Sequence, residues 1–101
     1  MRTDIPLADQ IVQVGDVCLE AGRRFAQPSD SCHLIVLRVS SKNFLREAAL
    51  RLEIAGIRYV MFYEPDDELG HTAICTEPVR REFRREFRRY AMWGARGPPR
   101  Y

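Results

Sequence analysis

The stretch HLIVLRVSSKNFLREAALRLEIAGIRYVMFY, His33–Tyr63, decides the fold. Its opening run LIVLRV, Leu34–Val39, is short, apolar and rich in β-branched residues, which predicts a buried strand. Ser40 and Ser41 then offer N-caps for a helix. In that helix Leu45, Ala48, Ala49 and Leu52 make an inner stripe at helical spacing. Gly56 ends it, where a left-handed residue is wanted. IRYVMFY, Ile57–Tyr63, follows as a second strand. Strand, helix, strand in this order implies a right-handed parallel crossover, and therefore an α/β domain of two or three layers.

Toward the N-terminus, Leu7, Ile11, Val14, Cys18, Ala21 and Phe25 recur at spacings of three and four, the pattern of one buried helix face. Pro6 suits the first turn of such a helix. Asp9, Gln13, Asp16 and Glu20 occupy another face, either a plain solvated surface or a site. Met1-Arg2-Thr3-Asp4 reads as the tail of a strand, so either the domain manages with three full strands or the native chain starts upstream of Met1. Toward the C-terminus, TAICT, Thr72–Thr76, is a third strand, stopped by Pro78. A last helix is expected over Val79–Tyr90, and the glycine- and proline-rich 94–101 reads as a flexible tail beyond a domain spanning 1–93.

At 101 residues the chain is large enough for one small core. No apolar run of about 18 residues offers a membrane span, and no secretory signal is legible, so a cytoplasmic location is expected. Cys18, Cys32 and Cys75 lack the spacing of a zinc site or a disulfide framework; they read as small apolar residues. The loop Glu64-Pro65-Asp66-Asp67-Glu68-Leu69-Gly70-His71 is oxygen-rich, but its spacing fits no calcium loop. His33 and His71 have no ligand spacing between them. No metal and no cofactor is therefore expected.

Charge is distributed unevenly. Residues 1–78 hold 8 basic and 12 acidic side chains, against 8 and 2 in residues 79–101, so a body of net −4 carries a terminal segment of +6. Within that segment RREFRREFRRY, Arg80–Tyr90, repeats every four residues. In an α-helix this sets like charges at i,i+4, unfavourable by ~0.2–0.5 kcal/mol per pair. Val79, Phe83, Phe87 and Tyr90 would form its apolar stripe, with Arg81, Arg84, Arg85 and Arg88 facing away from it. An arginine ridge of this kind suits an anionic partner such as a nucleic-acid backbone, or pairing with the acidic part of the same domain or of a second subunit.

Taken together, the order of elements resembles the type-two peptidyl-tRNA hydrolases. The resemblance rests on Arg2-Thr3-Asp4, on Gln13-Val14-Gly15, on HLIVLRV with the helix ending Leu52-Glu53-Ile54-Ala55-Gly56-Ile57, and on the closing strand Thr72–Pro78. It implies a small α/β domain with a mixed sheet of three to four strands flanked by helices, and a metal-independent hydrolase of the ester joining a peptide to tRNA. In the family a lysine stands four residues before the helix glutamine and a histidine three residues after it. Here those positions are Asp9 and Asp16. Two carboxylates can neither hold a phosphate nor act as an imidazole of pKa ~6.5. Glu64 is the nearest match to the family's loop aspartate and Thr72 matches its strand-opening threonine; the loop threonine has no counterpart.

The resemblance thus implies Gln13, Asp16, Glu64, Thr72 and Asp9 around a reacting ester, with Asp16 or Glu64 as general base. Arg81, Arg84, Arg85 and Arg88 would hold the tRNA. Two alternatives stand beside it. One is a catalytically degenerate module that binds tRNA or protein. The other is a subunit-interaction protein, which a homodimer would exemplify.

Overall fold

In the computed structural model, which describes residues 1–28, 33–98 and 100–101, helix α1 spans Leu7–Arg24 and helix α2 spans Lys42–Ala55. Strands β1, Tyr59–Glu64, and β2, Gly70–Thr76, form an antiparallel pair. Between them Asp66–Glu68 makes one 3₁₀ turn. A longer 3₁₀ helix covers Arg81–Phe87. The molecule is thus a small α/β fold. No helix among the described residues is long and apolar enough to cross a membrane.

Helix α2 follows from local chemistry. Ser41 Oγ accepts the Phe44 N–H at 3.2 Å, satisfying one of the helix's unpaired first-turn donors. Gly56 adopts φ 74° at the C-cap and returns its N–H to Glu53 and Leu52 carbonyls, a conformation that costs glycine little. Leu45, Ala49 and Leu52 are buried as their spacing predicts, with Ala48 half-buried.

The expected parallel crossover does not form as a regular sheet. Leu34–Val39 is no continuous strand: Leu37 bridges Met92 antiparallel, and Val39 bridges Arg2 in parallel. Leu34 and Ile35 are exposed. A ladder needs continuous neighbours, and those of this run are short. On one side Thr3 N–H reaches Val39 O at 2.9 Å and Val39 N–H reaches Met1 O at 3.0 Å. On the other, Trp93 N–H reaches Val36 O at 2.8 Å and Arg38 N–H reaches Ala91 O at 3.0 Å. Met1–Thr3 also borders β2, since Arg2 N–H donates to Thr72 O at 3.1 Å. The strand-like tail read at Met1–Asp4 therefore lies between β2 and residues 37–39.

The N-terminal helix has the expected extent and a different orientation. Leu7 and Ile11, placed in the buried stripe by their spacing, are both 60% exposed. The face turned inward is Gln10, Gln13, Val17 and Ala21, with Val14, Cys18 and Phe25 partly covered. Val17 and Ala21 pack with Met1, Ile5, Val60 and Ala73. Two glutamines enter this interior because each finds partners for its amide.

The last helix is also corrected. Arg81–Phe87 is 3₁₀, not α, and none of its residues is buried. Short helices depend on packing one face, and Phe83 stays 36% exposed. In a 3₁₀ helix residues i and i+3 eclipse, so the i,i+4 like-charge pairs of an α-helix no longer stack, while Glu82 comes over Arg85 and Arg81 over Arg84. Beyond it the tail returns to the body: Tyr101 O accepts the Ser40 N–H at 2.8 Å, and the Tyr101 ring meets Phe44 and Tyr90 edge-on at 6.1 and 5.8 Å.

Candidate functional site

The pairing of β1 with β2 slips at one point. Phe62 faces Ala73 and Tyr63 faces His71, leaving Thr72 as the extra residue of a bulge. Bulges break strict alternation and re-aim side chains. Here the outcome is that Thr72 and Ala73, adjacent in sequence, are 0% and 1% exposed. The Thr72 hydroxyl points at α1 and donates to Gln13 Oε1 at 2.6 Å.

Gln13 carries the contact onward. Its Nε2 donates to Glu64 Oε2 at 3.1 Å, and Glu64 Oε1 accepts the Asp66 N–H at 3.1 Å. The Gln13 side-chain amide and the Asp66 backbone amide both favour the ionised form, and they hold the Glu64 carboxyl below its usual range. Three residues separated by 51 and 59 positions thus form one chain of hydrogen bonds. It runs from a sealed hydroxyl to a partly exposed carboxylate.

A second polar element supports this arrangement from behind. Arg2, 7% exposed, gives Nη1 to Leu69 O at 2.6 Å and to His71 O at 3.0 Å. Its Nε and Nη2 grip both oxygens of Asp4 at 2.8 Å. The guanidinium therefore clamps both flanks of the turn into β2, next to the bulge. Arg2 holds the Asp4 carboxyl below its ordinary range. Gln10 is the third buried polar anchor, accepting Trp93 Nε1–H at 2.8 Å and donating to Ile5 O at 2.8 Å.

Of the five residues expected around a reacting centre, Gln13, Glu64 and Thr72 meet. Asp9 and Asp16 lie on the flank of α1 beside Gln13, half-buried, and make no hydrogen bond or ion pair with the described residues. Asp16 borders an open groove between α1 and β1, shared with Leu19, Glu20, Arg23 and residues 60–63. Arg2 and Gln10 were not singled out as anchors by their sequence. Arg2 precedes α1, and the inward turn of Gln10 has no signal in the apolar spacing of that helix.

The four arginines assigned to nucleic acid are exposed, yet they do not form a single ridge. At about 120° per residue in a 3₁₀ helix, Arg81 and Arg84 share one edge, and Arg85 and Arg88 share the next. Arg85 meets Glu86 at 4.0 Å; Arg81, Arg84 and Arg88 have no acidic partner among the described residues. No cluster of metal ligands occurs among the described residues, and the Asp67 side chain lies outside them. Cys18 and Cys75 are half-buried at the core's margin; Cys32 lies outside the described residues. His71 packs its ring against Tyr63 at 5.2 Å. Comparison of the chain with family models, with curated proteins and with solved structures gives no match in any of the three.

Proposed function

We propose that this chain is a divergent domain of the type-two peptidyl-tRNA hydrolase kind, acting slowly on the ester between a peptidyl or acyl-amino acid group and tRNA. The observation that carries the reading is the convergence of Gln13, Thr72 and Glu64 in one hydrogen-bond chain. The order in which Met1–Thr3 lies between β2 and residues 37–39 accords with a mixed sheet of that kind, and cytoplasmic tRNA is the natural partner. Glu64 is the general base. Its carboxylate takes a proton from water, the hydroxide oxygen attacks the ester carbon, and the departing 3′ oxygen of the tRNA recovers the proton from Glu64. Thr72 and Gln13 position Glu64 rather than touch substrate. A carboxyl held below its usual range is a weak base, and Asp9 and Asp16 supply no positive charge for the developing oxyanion. The rate is correspondingly low.

The test is release of an N-acetylated amino acid from tRNA, with Glu64→Gln as control. Cleavage above the uncatalysed rate that Glu64→Gln abolishes supports the assignment; cleavage that survives it removes Glu64 from the mechanism. A second reading, a binding module without the reaction, is favoured by the complete burial of Thr72. Under it the wild type binds tRNA and cleaves nothing.

A further inference from the structure

The heptapeptide Arg58-Tyr59-Val60-Met61-Phe62-Tyr63-Glu64 is close to its own mirror: a cation and an anion at the ends, tyrosines inside them, apolar residues at the centre. It includes all of β1, which pairs with β2 on one side and with nothing among the described residues on the other. Every second residue of such an edge turns its N–H and C=O outward. Natural edges are ordinarily blunted by lysine, proline or a covering loop. This one has no charge or proline from Tyr59 to Tyr63, and it opens on the groove that Leu19, 76% exposed, helps to line.

We propose that a second copy of this chain pairs with β1 along this edge, antiparallel about a two-fold axis at Met61. The register follows from the sequence. Arg58 falls opposite Glu64 of the partner subunit, Tyr59 opposite Tyr63 of the partner subunit, Val60 opposite Phe62 of the partner subunit, and Met61 opposite its own copy. Opposite charges and aromatic or β-branched pairs directly across a sheet are the favourable combinations, and the two-fold supplies each of them twice. Val60 and Phe62 lie on the face packed against α1, so their cross-pairing prolongs the core on that side. The added strand fills the groove and covers Leu19.

The pairing also has a chemical consequence, which rests on the proposed function. Arg58 is 73% exposed at its side chain, although it pairs with Glu77 and lies 5.4 Å from the Phe25 ring. In the dimer Arg58 of the partner subunit stands beside Glu64. It brings to the Gln13, Thr72 and Glu64 cluster the positive charge that Asp9 and Asp16 do not provide, in a form suited to a phosphate or an oxyanion.

Sedimentation velocity across a concentration series tests the dimer without reference to activity. A strand pair of seven residues is a small interface, so a dimer constant of about 10 μM or weaker is expected. Met61→Lys, which sets like charges face to face at the axis, should leave the chain monomeric with an unchanged circular dichroism spectrum. Met61→Cys should cross-link to a covalent dimer under mild oxidation, peptide mapping placing the bond between the two introduced thiols. A wild type that stays monomeric to ~1 mM, or a Met61→Lys variant that still dimerises, overturns the pairing. Arg58→Gln tests the chemical consequence in the deacylation assay: activity lost from the dimer supports it. Activity retained by the variant dimer, with Glu64→Gln inactive, overturns the role of Arg58 and leaves the proposed hydrolase standing.

Discussion

Arginine is used in two opposite ways in this molecule. Arg2 is buried and its donors are spent on Asp4 and on the carbonyls of Leu69 and His71. Arg81, Arg84, Arg85 and Arg88 stand in water, and among the described residues their one ion pair is the Arg85–Glu86 contact at 4.0 Å. The inner guanidinium is a structural clamp with four of its five N–H donors engaged. The outer four are available and contribute little to the fold. Charge alone does not separate these roles; the number of donors already engaged does.

The largest expected effect is therefore at the clamp. Arg2→Met keeps an apolar stem but leaves the Leu69 and His71 carbonyls without their donor, and should lower stability by about 3 kcal/mol in denaturant unfolding. A loss no greater than that of an exposed substitution would show that water replaces the guanidinium freely. Next comes Gln13→Leu. It deprives the Thr72 hydroxyl of its acceptor and Glu64 of a donor, at a cost of ~1–3 kcal/mol, and it should raise the Glu64 pKa toward the ordinary carboxylate value in a carbon-detected titration.

The clamp also predicts a response to acid. Because Arg2 lowers the folded-state pKa of Asp4 below 3.8, the stabilisation is fully present above that value and is lost as pH falls through the folded pKa. The Asp4 contribution to the melting temperature should hold down to about pH 4 and then decline. In Asp4→Asn the loss is already present at pH 7, and the decline below pH 4 is shallower. An identical acid limb in wild type and variant would detach Asp4 from it.

The smallest effect on stability belongs to the exposed arginines. Arg85→Gln with Arg88→Gln should move stability by less than ~0.5 kcal/mol. The same pair shares one edge of the 3₁₀ helix, so the decline of log tRNA affinity with log salt should flatten by about two units. An unchanged slope would take this edge out of the nucleic-acid surface.

Local chemistry made some elements legible in advance. The Ser41 cap, the Gly56 stop and the Leu45, Ala49 and Leu52 stripe lie within one helix of each other, and each acts through near neighbours in the chain. The extent of α1 was legible for the same reason. Its orientation was not, because apolar spacing favoured a face with Leu7 and Ile11, whereas Gln10 and Gln13 turn inward on partners far along the chain. The family resemblance directed attention to Gln13, Glu64 and Thr72, but no local pattern could announce that a bulge opposite Phe62 and Tyr63 would bring them together.

What the sequence determined by itself is thus the two α-helices, the apolar runs of β1 and β2, and the segregation of charge between residues 1–78 and 79–101. The tertiary structure decided which runs pair, which face of α1 is buried, and that Arg81–Phe87 tightens into a 3₁₀ helix. The physical reason is range. Caps, stops and periodicity act within a turn or two, while strand pairing and the burial of a polar side chain depend on hydrogen-bond partners tens of residues away.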